Sequence, residues 1–85
     1  MYAQKARVAS EIGLHARPAA TVARAAQAFG DPVYLTFQGE RVEASSGLMI
    51  MTLDTAHGDV VTVESASEDA VRQIAALIET TIAPL

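Results

Sequence analysis

The sequence predicts an α+β fold: one β-sheet with three helices packed on one face, in the order β-α-β-β-α-β-α. Three observations point to it. Four short runs rich in β-branched or alternating residues are bounded by turn signals. Two longer stretches carry apolar residues at three- and four-residue spacing, and a third, short one begins after a pair of serines. The 85 residues, 51% of them hydrophobic, can bury one modest core. A single domain over 1–85 is expected, with no internal repeat, linker or low-complexity segment.

The elements follow in order. Residues 2–8 alternate weakly and read as the first strand, and Ser10-Glu11-Ile12-Gly13 reads as a loop. Residues 16–28 form the first helix, with Ala19, Val22, Ala23, Ala26 and Phe29 on its core face and Arg17, Thr21, Arg24 and Gln27 opposite. Gly30-Asp31-Pro32 stops it. Residues 33–37 and 41–44 make a hairpin about the turn Gln38-Gly39-Glu40. Ser45-Ser46 reads as the cap of a short helix over 47–53. Residues 54–59 turn into the β-branched strand 60–64. Ser65-Ala66-Ser67-Glu68 fits a capping box before the last helix, and Ser67 serves equally as the cap, with Glu68 and Asp69 in the first turn. Val71, Ile74, Ala75, Ile78 and Ile82 give that helix its apolar stripe, and Pro84 ends it.

Composition excludes several functions. Without cysteine there is no disulfide framework and no thiol chemistry. The first residues lead into no apolar signal segment, and no stretch approaches the roughly 18 apolar residues of a membrane span. A cytoplasmic protein without direct membrane insertion is expected. A net charge of −4 disfavours nucleic acid as a partner. The basic residues are uneven, however: Arg17 and Arg24 lie about two turns apart on one side of the first helix, while Glu64, Glu68, Asp69 and Glu79 lie elsewhere. A locally basic site on an acidic chain suits an anionic ligand or an acidic partner surface.

The run Gly13-Leu14-His15-Ala16-Arg17-Pro18-Ala19-Ala20 carries the chemistry. Proline fits a first helical turn, where its missing N–H had no intrahelical partner, and alanine is the best helix former. His15 therefore sits at a helix N-terminus, among backbone donors without acceptors and at the positive end of the dipole. Such a place stabilises an anion and favours the neutral, nucleophilic imidazole. A phosphoryl group on His15 would be that anion, steadied by the backbone at Ala16 and by the fixed charge of Arg17. The bland alternative is a histidine that only caps the helix. Gly13 and Pro18 hold the ring in place without doing chemistry.

That run resembles the active-site signature of HPr, the histidine-containing phosphocarrier of the bacterial phosphoenolpyruvate:sugar phosphotransferase system. The resemblance extends over the whole chain in length and order of elements. It implies an open-faced β-sandwich with a four-stranded antiparallel sheet. It also implies that His15 takes a phosphoryl group from Enzyme I, on Nδ1, and passes it to Enzyme IIA domains during sugar uptake. The protein would be a carrier with a transient phosphohistidine, not a free-standing catalyst, and would work as a monomer in brief complexes. Three alternatives stay open. A paralogous carrier of a nitrogen-control or dihydroxyacetone kinase chain would use the same chemistry with other partners. A phosphohistidine enzyme would need a second acid/base group and a closed pocket. A plain interaction module would not need His15.

Leu48-Met49-Ile50-Met51 is the second feature. A helix this short buries one face, so some of these side chains are exposed, and methionine adapts to different partners. The resemblance implies a docking face from both helices: Ala16, Arg17, Ala20 and Arg24 with Gly47, Leu48, Met49, Met51 and Thr52. Ser46 aligns with the serine that HPr kinase/phosphorylase modifies in many Gram-positive relatives. Here Ser45 stands where lysine is frequent and Gly47 where a large apolar residue is usual, so the plain N-cap reading of Ser46 is preferred. His57 reads as a surface histidine in a turn. With no acidic or cysteine partners at ligand spacing, no metal and no cofactor are expected.

Overall fold

A computed structural model describes residues 1–80. The elements are β1 (Tyr2–Arg7), α1 (Ala16–Gln27), β2 (Val33–Phe37), β3 (Glu40–Glu43), α2 (Gly47–Thr52), β4 (Val60–Ser65) and α3 (Glu68–Glu79). This is the expected order, with boundaries shifted by a residue or so. Ile82 and Pro84, expected in and after the last helix, lie outside the described residues.

The strands form one antiparallel sheet in the order β1-β4-β2-β3. The β-branched run of β4 occupies an interior position, where both edges of the strand are hydrogen-bonded. The pairings Ala6↔Val61, Val63↔Leu35 and Leu35↔Val42 place these side chains on one face, where all are buried. The opposite face carries half-buried Tyr34, Thr36, Thr62 and Glu64, and the Arg41 guanidinium lies 4.0 Å from the Tyr34 ring centroid. This period of two leaves one face for the helices and one for solvent. Gln38 and Gly39, at the hairpin tip, both have positive φ (51° and 83°), as a primed turn demands.

The helices cover the inner face. α1 buries Pro18, Ala19, Val22, Ala23 and Ala26, and α3 buries Ala70, Val71, Ile74, Ala75 and Ile78. Ser67 is the cap of α3: its Oγ accepts from the Ala70 N–H at 3.2 Å. Ser65 stays in the sheet, where its hydroxyl donates to the Pro32 carbonyl at 2.8 Å and accepts from the Ser67 N–H. No helix among the described residues is long and apolar enough to cross a membrane.

α2 runs antiparallel to α1. The carbonyl of Ser45, just before α2, accepts from Gln27 Nε2 at 2.8 Å, Gly47 lies against Ala19 and Ala20, and Met51 reaches Ala16. The chain leaving α2 therefore arrives at the segment that enters α1.

Candidate functional site

At that corner the segments 13–16 and 51–55 are fastened together. Thr55 is buried, and its hydroxyl accepts from the Leu14 N–H at 3.1 Å. Gly13 has φ 73°, and a Cβ there would overlap the Thr55 carbonyl oxygen. Leu14 is buried, so the chain must turn outward at His15. His15 is the N-cap residue of α1, with extended backbone (φ −118°, ψ 159°), but its side chain makes no capping hydrogen bond. The imidazole is thus uncommitted to the helix, half-exposed, and set at the helix's positive end. Its Nε2 faces the Asp54 carboxylate, with 3.6 Å to Oδ1.

The backbone on both sides of this pair is unusual. Ala16 has φ 46° and Asp54 has φ 54°, two of the three positive-φ residues other than glycine among those described. Such conformations cost a non-glycine residue on the order of 1–3 kcal/mol and cluster at functional sites. The Ala16 N–H points at the Met51 sulfur, 3.3 Å away. A thioether is a weak acceptor, so this donor is held by a partner that a stronger acceptor can displace. Pro18 is the third residue of α1, within the first turn, where its missing N–H forfeits no intrahelical bond.

The chain as a whole is similar to known proteins. The family model described as "PTS HPr component phosphorylation site" matches residues 2–81. The chain belongs to the HPr family. The phosphocarrier protein HPr of Haemophilus influenzae is 34% identical over 83 residues, 94% of this chain and 98% of that one. A crystal structure of HPr-C-His from Thermoanaerobacter tengcongensis superposes with a TM-score of 0.86 at 30% identity, covering 93% of this chain and 92% of that one. HPr from Bacillus anthracis gives 0.86 at 29% identity, with 91% and 95% covered. The protein is thus a phosphocarrier of the phosphotransferase system, and its fold is the open-faced sandwich of HPr.

In this family member, Ala16, Arg17, Ala20 and Arg24 are all exposed along one side of α1. On α2, Leu48, Met49 and Thr52 are exposed and Gly47 and Met51 half-buried. The two helices pack against each other, with Gly47 against Ala19 and Ala20 and Met51 against Ala16. Ser46 caps α2, its Oγ accepting from the Met49 N–H at 3.2 Å. His57 is exposed, near Arg7 and Glu79, and among the described residues no three histidine, cysteine or acidic side chains converge as metal ligands do.

Sequence reasoning alone misses Asp54 and Thr55. An aspartate just after a short helix is a residue that tolerates left-handed backbone, and that is the only local signal. Its approach to His15 comes from the antiparallel run of α2, which a single sequence does not encode locally.

Proposed function

We propose that His15 is the phosphoacceptor. It takes the phosphoryl group on Nδ1 from a phosphohistidine of Enzyme I and gives it to a histidine of Enzyme IIA domains during sugar uptake. The observation that carries this reading is an N-cap imidazole, half-exposed at the mouth of a 12-residue helix, whose side chain makes no cap bond. In the transfer the donor's N–P bond breaks and the Nδ1–P bond forms, so little covalent machinery is required. Charge on the phosphoryl oxygens is met by Arg17 and by the N–H groups of Ala16 and Arg17 at the helix start. The Ala16 N–H exchanges the Met51 sulfur for an oxygen. Carrier function needs this cradle to be open: the group must be held and then released, so barrier lowering belongs to the complex with each partner and not to a closed active site in this chain.

The docking face in this reading is Ala16, Arg17, Ala20 and Arg24 with Gly47, Leu48, Met49, Met51 and Thr52. Exposure of Leu48 (70%) and Met49 (43%) on the helix packed against α1 supports it. The protein works in the cytoplasm as a monomer that forms brief complexes.

The test is phosphoryl transfer from phosphoenolpyruvate, with Enzyme I and magnesium, to the wild type and to His15→Ala. One acid-labile phosphate on the wild type and none on the folded variant is the expected result. An adduct that survives the replacement would place the chemistry elsewhere. No adduct on folded wild type with a matched Enzyme I would point to the partners of a paralogous chain.

A further inference from the structure

We propose that Asp54 is a positioning residue for phosphoryl transfer. Its carboxylate keeps the proton of the neutral His15 ring on Nε2 and balances the positive charge that the ring gains when Nδ1 takes the phosphoryl group. The inference rests on the reading of His15 as phosphoacceptor.

The juxtaposition is built by the backbone. Asp54 stands between buried Leu53 and buried Thr55, and the Thr55 hydroxyl holds the N–H of Leu14, the residue before His15. The Asp54 N–H donates to the Met51 carbonyl at 3.1 Å as α2 ends and the backbone turns to φ 54°. His15 and Asp54 are thus neighbours because both segments are anchored from below, and no long flexible side chain has to find its partner.

Chemistry gives the direction. An ionised carboxylate only accepts hydrogen bonds, while a neutral imidazole has one donor nitrogen and one acceptor nitrogen. With Asp54 Oδ1 3.6 Å from Nε2, the favourable tautomer has the proton there and the lone pair on Nδ1. That lone pair forms the new N–P bond, while the donor nitrogen keeps the electron pair of the bond that breaks. The proton on Nε2 stays through the step, so positive charge appears on the ring beside the carboxylate. A phosphoryl group on Nδ1 projects from another ring edge, so the carboxylate lies closer to the charge it stabilises than to the one it repels.

The pair is exposed, His15 at 36% and Asp54 at 91% of the side chain, so solvent screens it. Exposed pairs of this kind correspond to about a two- to fivefold change in an equilibrium. Glycine suits a positive φ better than aspartate does, so Asp54→Gly removes the carboxylate without disturbing the turn.

The experiment uses the full chain with 15N-labelled histidine. Ring 15N–1H correlation spectra at alkaline pH report the His15 tautomer in wild type, Asp54→Asn and Asp54→Gly, with amide spectra confirming the fold. Wild type is expected to hold the proton on Nε2, and Asp54→Gly to move the tautomer ratio toward Nδ1–H by about two- to fivefold. The asparagine variant, which keeps an acceptor oxygen but no charge, should fall between them. Transfer from phosphorylated Enzyme I should slow by a similar factor in Asp54→Gly and by less in Asp54→Asn, and the difference from wild type should shrink at about 1 M salt, where screening is nearly complete. A tautomer ratio unchanged in folded Asp54→Gly overturns the proposal. The spectra need no phosphoryl donor, so that outcome is independent of whether His15 is the residue phosphorylated.

Discussion

At Gly13 the backbone leaves no room for a side chain. The positive φ alone would favour glycine, but Gly39 has that too and faces open space, whereas Gly13 faces the Thr55 carbonyl. The two positions separate backbone strain from steric overlap. Gly39→Ala should cost about 1 kcal/mol, and Gly13→Ala more than about 2 kcal/mol, in urea unfolding. Equal costs would mean that the 54–56 segment yields to the methyl group, and the anchoring of the His15 corner would then be loose. From the sequence Gly13 reads only as a loop residue that helps to hold the ring in place. Its actual reason is a carbonyl far along the chain, which no local pattern announces. The position of His15 at a helix start is legible because its signal is local: a basic residue, a proline and alanines directly after it.

At the scale of the element, α2 shows how little a six-residue helix reveals by periodicity. The run Leu48-Met49-Ile50-Met51 has no polar residue to mark a solvent face, and spacing alone leaves open which side chains turn inward. The structure buries Ile50 and Leu53 and leaves Leu48 70% exposed. The two positions should respond in opposite ways. Ile50→Ala empties a fully buried site and is expected to cost about 2–5 kcal/mol of stability. Leu48→Ala should leave stability within about 0.5 kcal/mol, yet weaken binding to Enzyme I by roughly tenfold if this surface is the docking face. Calorimetry of unfolding and of complex formation on the same two variants checks both halves. The long helices pose no such ambiguity: in α1 and α3 small or polar residues alternate with the apolar stripe over three turns, and the buried sets follow the spacing closely.

At the scale of the molecule, element order and helix faces are legible in the sequence, but the strand order β1-β4-β2-β3 is not. Pairing depends on how segments distant in the sequence meet, and the β-branched run of β4 indicates only a well-buried strand. Charge distribution is also a property of the whole. The chain carries −4 net, yet Arg17 and Arg24 are exposed on α1, the helix that His15 caps, while Glu68, Asp69 and Glu79 belong to α3. An acidic partner surface would be drawn to the local field and not to the net charge. Arg24→Glu should therefore slow association with Enzyme I by about tenfold at low salt and have little effect at about 1 M, with dissociation nearly unchanged. Arg72→Glu supplies the control. Arg72 is exposed on α3, where it bonds Asp69 at 2.7 Å, and its reversal changes net charge by the same amount. Stopped-flow association rates for both variants across a salt series decide between the two fields. A deficit confined to Arg24→Glu assigns steering to the helix α1 side of the molecule, whereas equal deficits would mean that the total charge governs encounter and that the position of Arg24 on α1 is incidental.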